Sequence, residues 1–236
     1  MVEQEVVTAS WESEYSRGRY AGERPVEFVE DVVAAAHVAG VDHGLYVGCG
    51  NGRNLEPLVS AGLDLIGLDI SPTAISQLRE HLPERSDRLV VGDLSALPAG
   101  QMYPLVVGIQ VFQHGSREAA HAHIRAAQER TAPGGLFCLR VNAIETDVWP
   151  AHVVEETAID GGFTVRYTAG SKAGVAVHFF SAVELSALFA DGFSPVLPLR
   201  VHQTAREEPA PGQWSQLEGI WQRNAPGEQD VATSGR

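Results

Sequence analysis

Cysteine is scarce in this sequence of 236 residues, which contains only Cys49 and Cys138. Neither cysteine belongs to a Cys-x-x-Cys pair or to a Cys/His spacing that is typical of zinc sites, so no metal site is predicted. Two isolated thiols are also typical of a reducing compartment rather than of a disulfide framework. We therefore expect a cytoplasmic protein without a bound metal.

Long apolar runs and positive charge are scarce as well. No apolar run is long enough to span a bilayer, and the first ten residues, MVEQEVVTAS, lack the basic start and apolar centre of a signal peptide. Lys and Arg number 17 against 30 Asp and Glu, which gives a formal net charge of -13. Because such a charge repels a phosphate backbone, we expect neither a membrane nor a nucleic-acid partner.

Apolar runs alternate with amphipathic stretches along most of the chain, a pattern typical of an α/β protein whose parallel sheet is covered on both faces. The length and the 44% of hydrophobic residues favour one domain, over residues 1–223. The predicted strands cover residues 44–47, 64–68, 88–91, 105–109 and 136–141. The predicted helices cover residues 25–40, 54–60, 72–79 and 116–130.

The rest of the chain adds a cap and an edge to this sheet. The stretch 142–180 is too long for a simple link, and its alternating pattern around Gly161 and Gly162 predicts an inserted β-hairpin over the substrate side. Ser181 and Glu184 form a capping box for a helix to about residue 191, and strands at 196–204 and 214–223 complete seven strands. Residues 8–24 are predicted to be a helical lid, and residues 224–236 a flexible tail.

The segment LYVGCGNGRN, residues 45–54, places Gly48, Gly50 and Gly52 between a predicted strand and a predicted helix. Glycines at such a turn let a ligand approach bare backbone amides. Asp69 follows the next strand, where a carboxylate can hold the two hydroxyls of a ribose, and Asp93 follows the strand after that. Singly, either aspartate could be a helix cap or a turn former. Jointly, the three features predict a nucleotide-like ligand at the carboxyl ends of the strands.

These segments resemble those of the class I S-adenosylmethionine-dependent methyltransferases, over roughly residues 17–223. GCGNG is similar to the cofactor loop of that family, LIGLDISPTAI to the segment that holds the ribose, and VVGDLSALP to the segment that reads adenine. YPLVVGIQVFQHG and APGGLFCLRVN resemble the fourth and fifth strand motifs. The resemblance implies a Rossmann-like fold, S-adenosyl-L-methionine as the cofactor and transferase activity.

The resemblance also implies which residues contact the cofactor. They are Tyr20, Tyr46, Gly48, Cys49, Gly50, Asn51, Gly52, Asp69, Ile70, Asp93, Leu94 and Gln110. Tyr46 departs from the family pattern, because most members carry Asp or Glu at this position. Its phenol either makes one hydrogen bond near the cofactor or only packs.

The acceptor side is predicted from histidines and aromatic residues. A base is needed if the acceptor is a hydroxyl or a protonated amine, and His114, after the fourth strand, is the candidate catalytic residue. A hydrogen bond at the helix entry is the alternative role for His114, while His152 and His178 are the next candidates for a base. Tyr15, Tyr20 and the aromatics of the insert would bury a small acceptor, or form ordinary core; those of the insert are Trp149, Phe163, Tyr167, Phe179 and Phe180. His121 and His123 are expected to be solvated.

The predicted function is methyl transfer to an oxygen, nitrogen or sulfur atom of a small molecule, in secondary metabolism, by a monomer or homodimer. A peptide acceptor stays open. A nicotinamide-dependent oxidoreductase is disfavoured, because the third glycine comes one position early for GxGxxG and Arg53 occupies the position of a packing glycine. The third alternative is a domain that binds the cofactor without transferring a group.

Overall fold

The computed structural model describes residues 2–207 and 210–225 of the chain. Its strands are β1 (His43–Val47), β2 (Asp64–Asp69), β3 (Leu89–Val91), β4 (Tyr103–Ile109), β5 (Thr131–Asn142), β6 (His152–Thr157), β7 (Phe163–Tyr167), β8 (Ala176–Phe179), β9 (Phe193–Ala205) and β10 (Gln213–Arg223). Seven of them form one sheet in the order β3-β2-β1-β4-β5-β10-β9. Strands β1 to β5 pair in parallel, and β10 pairs antiparallel with β5 and β9. The predicted α/β, Rossmann-like sheet is confirmed.

Within the described residues, six α-helices accompany the sheet: α1 (Val2–Ser16), α2 (Phe28–Ala39), α3 (Leu55–Ser60), α4 (Pro72–His81), α5 (Arg117–Glu129) and α6 (Ala182–Leu188). Helices α2, α3 and α4 share one apolar cluster with the sheet, whereas α5 and α6 pack on the other face. Strand β1 contributes to both clusters, because successive side chains of a strand point to opposite faces of the sheet. Tyr46 belongs to the first cluster, and Leu45 and Val47 to the second.

Helix caps fix where the helices begin. The side chains of Ser71, Ser116 and Ser181 each accept a backbone N–H of the following turn, and Ser181 completes its capping box with Glu184, as predicted. Helix α6 ends at Leu188, earlier than expected. The next residue, Phe189, leaves the helical conformation and stacks its buried ring on Trp221, with ring centroids 3.9 Å apart.

Strand β5 differs from the prediction at its beginning. It begins at Thr131 rather than near residue 136, because Thr131 pairs with Tyr103 before a register shift in β4. The turn residues 133–135 therefore lie within the strand as an irregularity and not before it. Glycine and proline in a strand are typical of such bulges.

The inserted segment forms a separate antiparallel sheet of three strands, β6-β7-β8, and not a two-stranded hairpin alone. Two backbone hydrogen bonds join it to the loop that follows β4. His178 N donates to Gln113 O at 2.8 Å, and Gly115 N donates to Ala176 O at 2.9 Å. The insert therefore lies at the carboxyl end of β4.

The N-terminal helix α1 begins at Val2, before the predicted start at residue 8. Val7 and Trp11 occur four residues apart and pack against the apolar core of the insert. On the other side, Glu12 Oε2 accepts a hydrogen bond from Ser71 Oγ at 2.5 Å, at the start of α4. Helix α1 is therefore held between the insert and the main sheet.

None of the helices within residues 2–207 and 210–225 has the length and the apolar character needed to cross a membrane.

Near the C-terminus, Asn224 N donates to Gly192 O at 2.9 Å, so the first residue of the predicted tail is anchored. Residues 226–236 lie outside the described residues.

Candidate active site

A cavity of about 570 Å³ opens at the carboxyl ends of β1, β2 and β4. Strand β1 has β2 on one side and β4 on the other, so the strand order reverses there. In open parallel sheets, ligands bind at such a reversal. The lining comes from the glycine loop, the ends of β2 and β3, the loop after β4, α5 and the N-terminal segment with α1.

Most predicted site residues meet in this cavity. Those that line it are Tyr20, Gly48, Cys49, Gly50, Asn51, Asp69, Ile70, Asp93, Leu94, Gln110 and His114. Tyr46 and Gly52 are outside the lining. A side chain at position 52 would meet Leu78 and Glu56, so the third glycine faces α3 and α4 and not the cavity.

The glycine loop folds back onto the end of β2. Gly48 N and Cys49 N donate to Leu68 O at 2.7 and 3.0 Å, and Gly50 N donates to Asp69 Oδ2 at 2.8 Å. The bare amides expected from the sequence are therefore already paired within the protein. The loop presents its small Cα surfaces to the cavity instead.

Gly50 is required by a neighbouring side chain. Its φ of +56° is left-handed, and a Cβ atom there would lie 2.4 Å from the hydroxyl oxygen of Tyr15 on α1. A larger residue would therefore be strained and would push α1 away from the loop.

Asp69 ends β2 with its carboxylate 8% exposed at the cavity. Oδ1 accepts a hydrogen bond from Ser71 N at 2.9 Å, while Oδ2 accepts the Gly50 amide. Each carboxylate oxygen keeps a second lone pair, so two further donors can bind. Burial raises the pKa of the Asp69 carboxyl above its ordinary value, and the backbone N–H groups of Ser71, Gly50 and Ile70 oppose that rise. The site suits a pair of vicinal hydroxyls.

Tyr46, which replaces the usual acidic residue, is 1% exposed and lies in the core. Burial raises the pKa of its phenol, and a hydrogen bond with the Asn54 side chain opposes the rise. Asn54 lines the cavity and its Oδ1 accepts Val26 N at 3.0 Å. Tyr46 therefore supports the cavity wall through Asn54, and the glycine loop forms without a carboxylate at position 46.

Two strained residues face the same cavity. Among the described residues, Tyr20 and Gln110 are the two non-glycine residues with left-handed φ angles, +64° and +57°. Both line the cavity. Such conformations cost free energy and cluster at functional sites. Gln110 is held there by its N–H, which donates to Arg140 O at 2.7 Å.

Aromatic side chains cover one side of the cavity. The rings of Trp11, Tyr15 and Tyr20 lie with each pair of centroids 5.9 Å apart. Trp11 is a lining residue that the sequence analysis missed. Its spacing of four residues from both Val7 and Tyr15 is a helical signal that could have identified it.

His114 lies in the loop between β4 and α5 and is 7% exposed. Burial lowers the pKa of its imidazole to about 3, and the positive charges of Lys172 and His123 contribute to this shift. No well-formed hydrogen bond to either ring nitrogen is found among the described residues, although the Gln110 backbone favours the protonated ring and partly opposes the fall in pKa. His114 is therefore a neutral, unsatisfied polar group at the cavity.

The other histidines differ from their predicted surroundings. His123 is exposed but lines the cavity, so it is not simply a solvated residue of α5. His152 and His178, the second candidates for a base, do not line the cavity. His152 Nδ1 lies 3.0 Å from Pro150 O, and His178 is enclosed in the insert.

The aromatics of the insert also lie away from the cavity lining. Phe163, Tyr167 and Phe179 pack in the core of the insert, whereas Phe180 packs in the main core. Trp149 is partly exposed. The ordinary-core alternative describes the first four, and the apolar cover of the cavity comes from α1 instead.

A second titratable cluster joins α5, the insert and α6. Glu184 Oε1 accepts hydrogen bonds from Arg117 Nε at 2.6 Å, His121 Nε2 at 2.6 Å and His178 Nε2 at 3.1 Å. Burial raises the pKa of Glu184, but these hydrogen bonds outweigh burial and hold the pKa well below its ordinary range. Three of these side chains have the types and proximity of metal ligands. Because Arg117 already balances the carboxylate charge, we assign the cluster a structural role.

The chain is similar to known methyltransferases. Residues 45–135 match the family described as a methyltransferase domain. The chain is 35% identical over 94 residues to a ubiquinone biosynthesis O-methyltransferase of Methylobacterium sp. (strain 4-46), which covers 39% of this chain and 37% of that protein. It is 32% identical over 122 residues to the probable S-adenosyl-L-methionine-dependent methyltransferase TehB of Haemophilus influenzae (strain 10810), covering 51% of this chain and 42% of that protein. The matched part spans about two fifths of these relatives' length.

Among solved structures, the fold is similar to that of the Burkholderia thailandensis 1,6-didemethyltoxoflavin-N1-methyltransferase, which holds 1,6-didemethyltoxoflavin and S-adenosylhomocysteine. The TM-score is 0.63 at 17% sequence identity, and the alignment covers 94% of this chain and 88% of that chain. At this identity, the likeness describes the fold.

Proposed function

We propose that this chain is a class I S-adenosylmethionine-dependent methyltransferase, which its match to a methyltransferase domain over residues 45–135 supports, and that it transfers a methyl group to an oxygen, nitrogen or sulfur atom of a small molecule. The observation that carries the proposal is Asp69, a buried carboxylate with two remaining lone pairs at a cavity beside a glycine loop. S-adenosyl-L-methionine is the cofactor of this family.

The residues at the cavity fit that cofactor. Asp69 would accept the two ribose hydroxyls, and Asp93 and Leu94 at the end of β3 would contact the adenine. Gly48 and Gly50 let the loop pass close to Val111 and Tyr15, which a Cβ at either position would meet. Gln110, with its constrained backbone, would border the reacting end.

When bound, the cofactor supplies a methyl carbon on a sulfonium. The acceptor would supply the lone pair for that methyl group, and a proton that it loses would pass to solvent. The chain's part is to align the acceptor and to exclude water. The aromatic group of Trp11, Tyr15 and Tyr20 would exclude water from one side.

The cavity favours a small molecule as the acceptor. Its volume of about 570 Å³ lies within the usual range for small-molecule sites, and the cofactor would take part of it. Helix α1 would act as the lid, and the insert supports it from behind. A peptide would need an extended groove, so it is the second choice. We keep secondary metabolism as the proposed setting.

The remaining expectations stay proposals as well. Both cysteines are free and buried, which is compatible with a reducing, cytoplasmic setting. The net charge of -13 disfavours nucleic acid as a partner. A monomer or a homodimer is the proposed state.

The proposal is tested by calorimetric titration of the purified protein with S-adenosylhomocysteine, with NAD as the parallel control. We expect binding of S-adenosylhomocysteine alone. Binding of NAD alone would replace methyl transfer by a redox function, the rival that the glycine spacing disfavours. A screen with S-adenosylmethionine carrying a labelled methyl group would then separate an enzyme from a domain that only binds the cofactor.

A further inference from the structure

The imidazole of His114 is a buried polar group at the cavity that lacks a well-formed hydrogen bond. Both nitrogens are buried, and no well-formed hydrogen bond to either is found among residues 2–207 and 210–225, although the Gln110 backbone interacts weakly with the ring. Leaving a buried polar atom without a partner costs free energy, so such atoms in a native protein call for an explanation. Because the ring lines the cavity, a bound molecule can supply the missing hydrogen bond.

The position of His114 is fixed by two neighbouring elements. Its backbone forms an isolated antiparallel bridge with Val177 of β8, and the next residue, Gly115, donates to Ala176 O. Its ring meets the Trp11 ring edge-on, with centroids 5.2 Å apart and planes at 77°. Helix α1 and the loop after β4 therefore place an indole and an imidazole side by side.

The carboxylates and the guanidinium of the cavity lie on other elements than His114, whereas the Lys172 ammonium lies 4.9 Å from the centroid of the Trp11 ring. Within the part of the chain that the structure describes, the acidic and arginine residues of the lining are Arg53, Asp69 and Asp93. All three belong to the glycine loop or to the ends of β2 and β3. Near His114, α1 contributes Val7 and Trp11, which share the apolar core of the insert.

We infer that His114 and Trp11 form the acceptor subsite, and that it selects a flat ring without positive charge that bears an N–H or O–H group. This inference rests on the proposed methyl transfer. The imidazole shares a hydrogen bond with that group, and the indole packs against the ring. A cationic acceptor would be buried beside a neutral imidazole and the Lys172 ammonium without a counter-charge, which is costly.

The role of His114 in this subsite is positioning by a hydrogen bond. Burial and the charges of Lys172 and His123 keep its imidazole neutral. A group with such a low proton affinity is a poor general base near neutral pH, because an effective base has a pKa near the working pH. The hydrogen-bonding role therefore fits the surroundings better than the base role predicted from the sequence.

The experiment measures probe binding to the wild-type complex with S-adenosylhomocysteine by NMR titration. The probes are phenol, toluene, benzoate and benzylammonium, which share a ring and differ in the hydroxyl or the charge. We expect phenol to bind best, and His114→Phe to weaken phenol by about tenfold while toluene is unaffected. His152→Phe, in the insert but outside the cavity, is the matched control.

A second measurement needs no variant. The ¹⁵N shifts of the His114 ring nitrogens in the wild-type complex should move on addition of phenol and not on addition of toluene. Equal phenol binding by wild type and His114→Phe, preferred binding of benzoate or benzylammonium, or no binding of phenol would overturn the inference. Failure of S-adenosylhomocysteine itself to bind would instead remove the proposed function on which the inference rests.

Discussion

The carboxylate of Asp69 holds the backbone of Gly50 at 2.8 Å, so the residue expected to bind the ribose also fixes the glycine loop. Its other oxygen fixes Ser71, the cap of α4. One buried side chain thus connects two cavity walls. Its replacement should affect both the shape of the cavity and the contact with the cofactor.

We predict that Asp69→Asn weakens the binding of S-adenosylhomocysteine by about 10- to 100-fold. The amide would turn an N–H toward a backbone donor and would lose charge-assisted hydrogen bonds, each worth about 1.5–3 kcal/mol. Calorimetry measures the change in Kd. Asp42→Asn at an exposed position is the control. An unchanged Kd for Asp69→Asn would remove the ribose assignment.

Glu12 joins α1 to the start of α4, where its carboxylate accepts hydrogen bonds from Ser71 and Thr73. We predict that Glu12→Gln loosens α1 and increases amide hydrogen exchange in residues 5–16, because a neutral amide is a weaker acceptor than a carboxylate. Glu5→Gln changes an exposed residue of the same helix and should leave exchange unchanged. Equal exchange in both variants would mean that α1 is held by apolar packing alone.

Substitutions of Tyr46 test whether cofactor binding needs the acidic residue that is usual at this position. Tyr46→Phe should cost about 1 kcal/mol of unfolding free energy, for one lost hydrogen bond to Asn54, with only a small change in cofactor affinity. Tyr46→Asp restores the residue type usual in the family but buries a charge in a core shaped for a phenol. It should destabilise the fold by about 3 kcal/mol or more. Urea unfolding and calorimetry measure both effects, and tighter cofactor binding by Tyr46→Asp would contradict this role for the ring.

His114 predicts a pH dependence of stability. Its pKa falls from 6.5 to about 3 on folding, so between these values the unfolded state binds more protons than the folded state. The stabilising contribution of the neutral ring is therefore complete above about pH 6.5 and is lost as the pH falls toward 3, by up to about 1.4 kcal/mol per pH unit.

His114→Phe should remove the contribution of His114 to the pH dependence of the unfolding free energy. Urea unfolding at about pH 5 and about pH 7 should show a loss of stability on acidification that is about 2 kcal/mol smaller in the variant than in the wild type. His37→Phe, at an exposed position of α2, should behave like the wild type. An identical slope in His114→Phe would mean that the imidazole is not held neutral.

The sheet could be predicted from the sequence because its strands are apolar runs bounded by turn residues, and the caps at Ser71, Ser116 and Ser181 are local patterns. Asp69 could be placed at the cavity because it follows a predicted strand, and the carboxyl ends of parallel strands share one edge of the sheet. The end of α6 could not be predicted, because it depends on the stacking of Phe189 on Trp221 from a distant strand.

The lid side of the cavity was harder to predict. That Trp11 faces His114 depends on how α1 packs against the insert, and no local pattern encodes that contact. The paired amides of the glycine loop were missed for a similar reason. A sequence shows that Gly48 and Gly50 are permissive, but not that Leu68 and Asp69 already use their N–H groups.

The missing side chain of Gly50 has a consequence for how this protein can vary during evolution. The hydroxyl of Tyr15 occupies the space that a Cβ at position 50 would need. The sizes of the residues at positions 15 and 50 therefore depend on each other. A relative that carries a larger residue at position 50 would be expected to carry a smaller one at position 15, so that lid and loop diverge together across species.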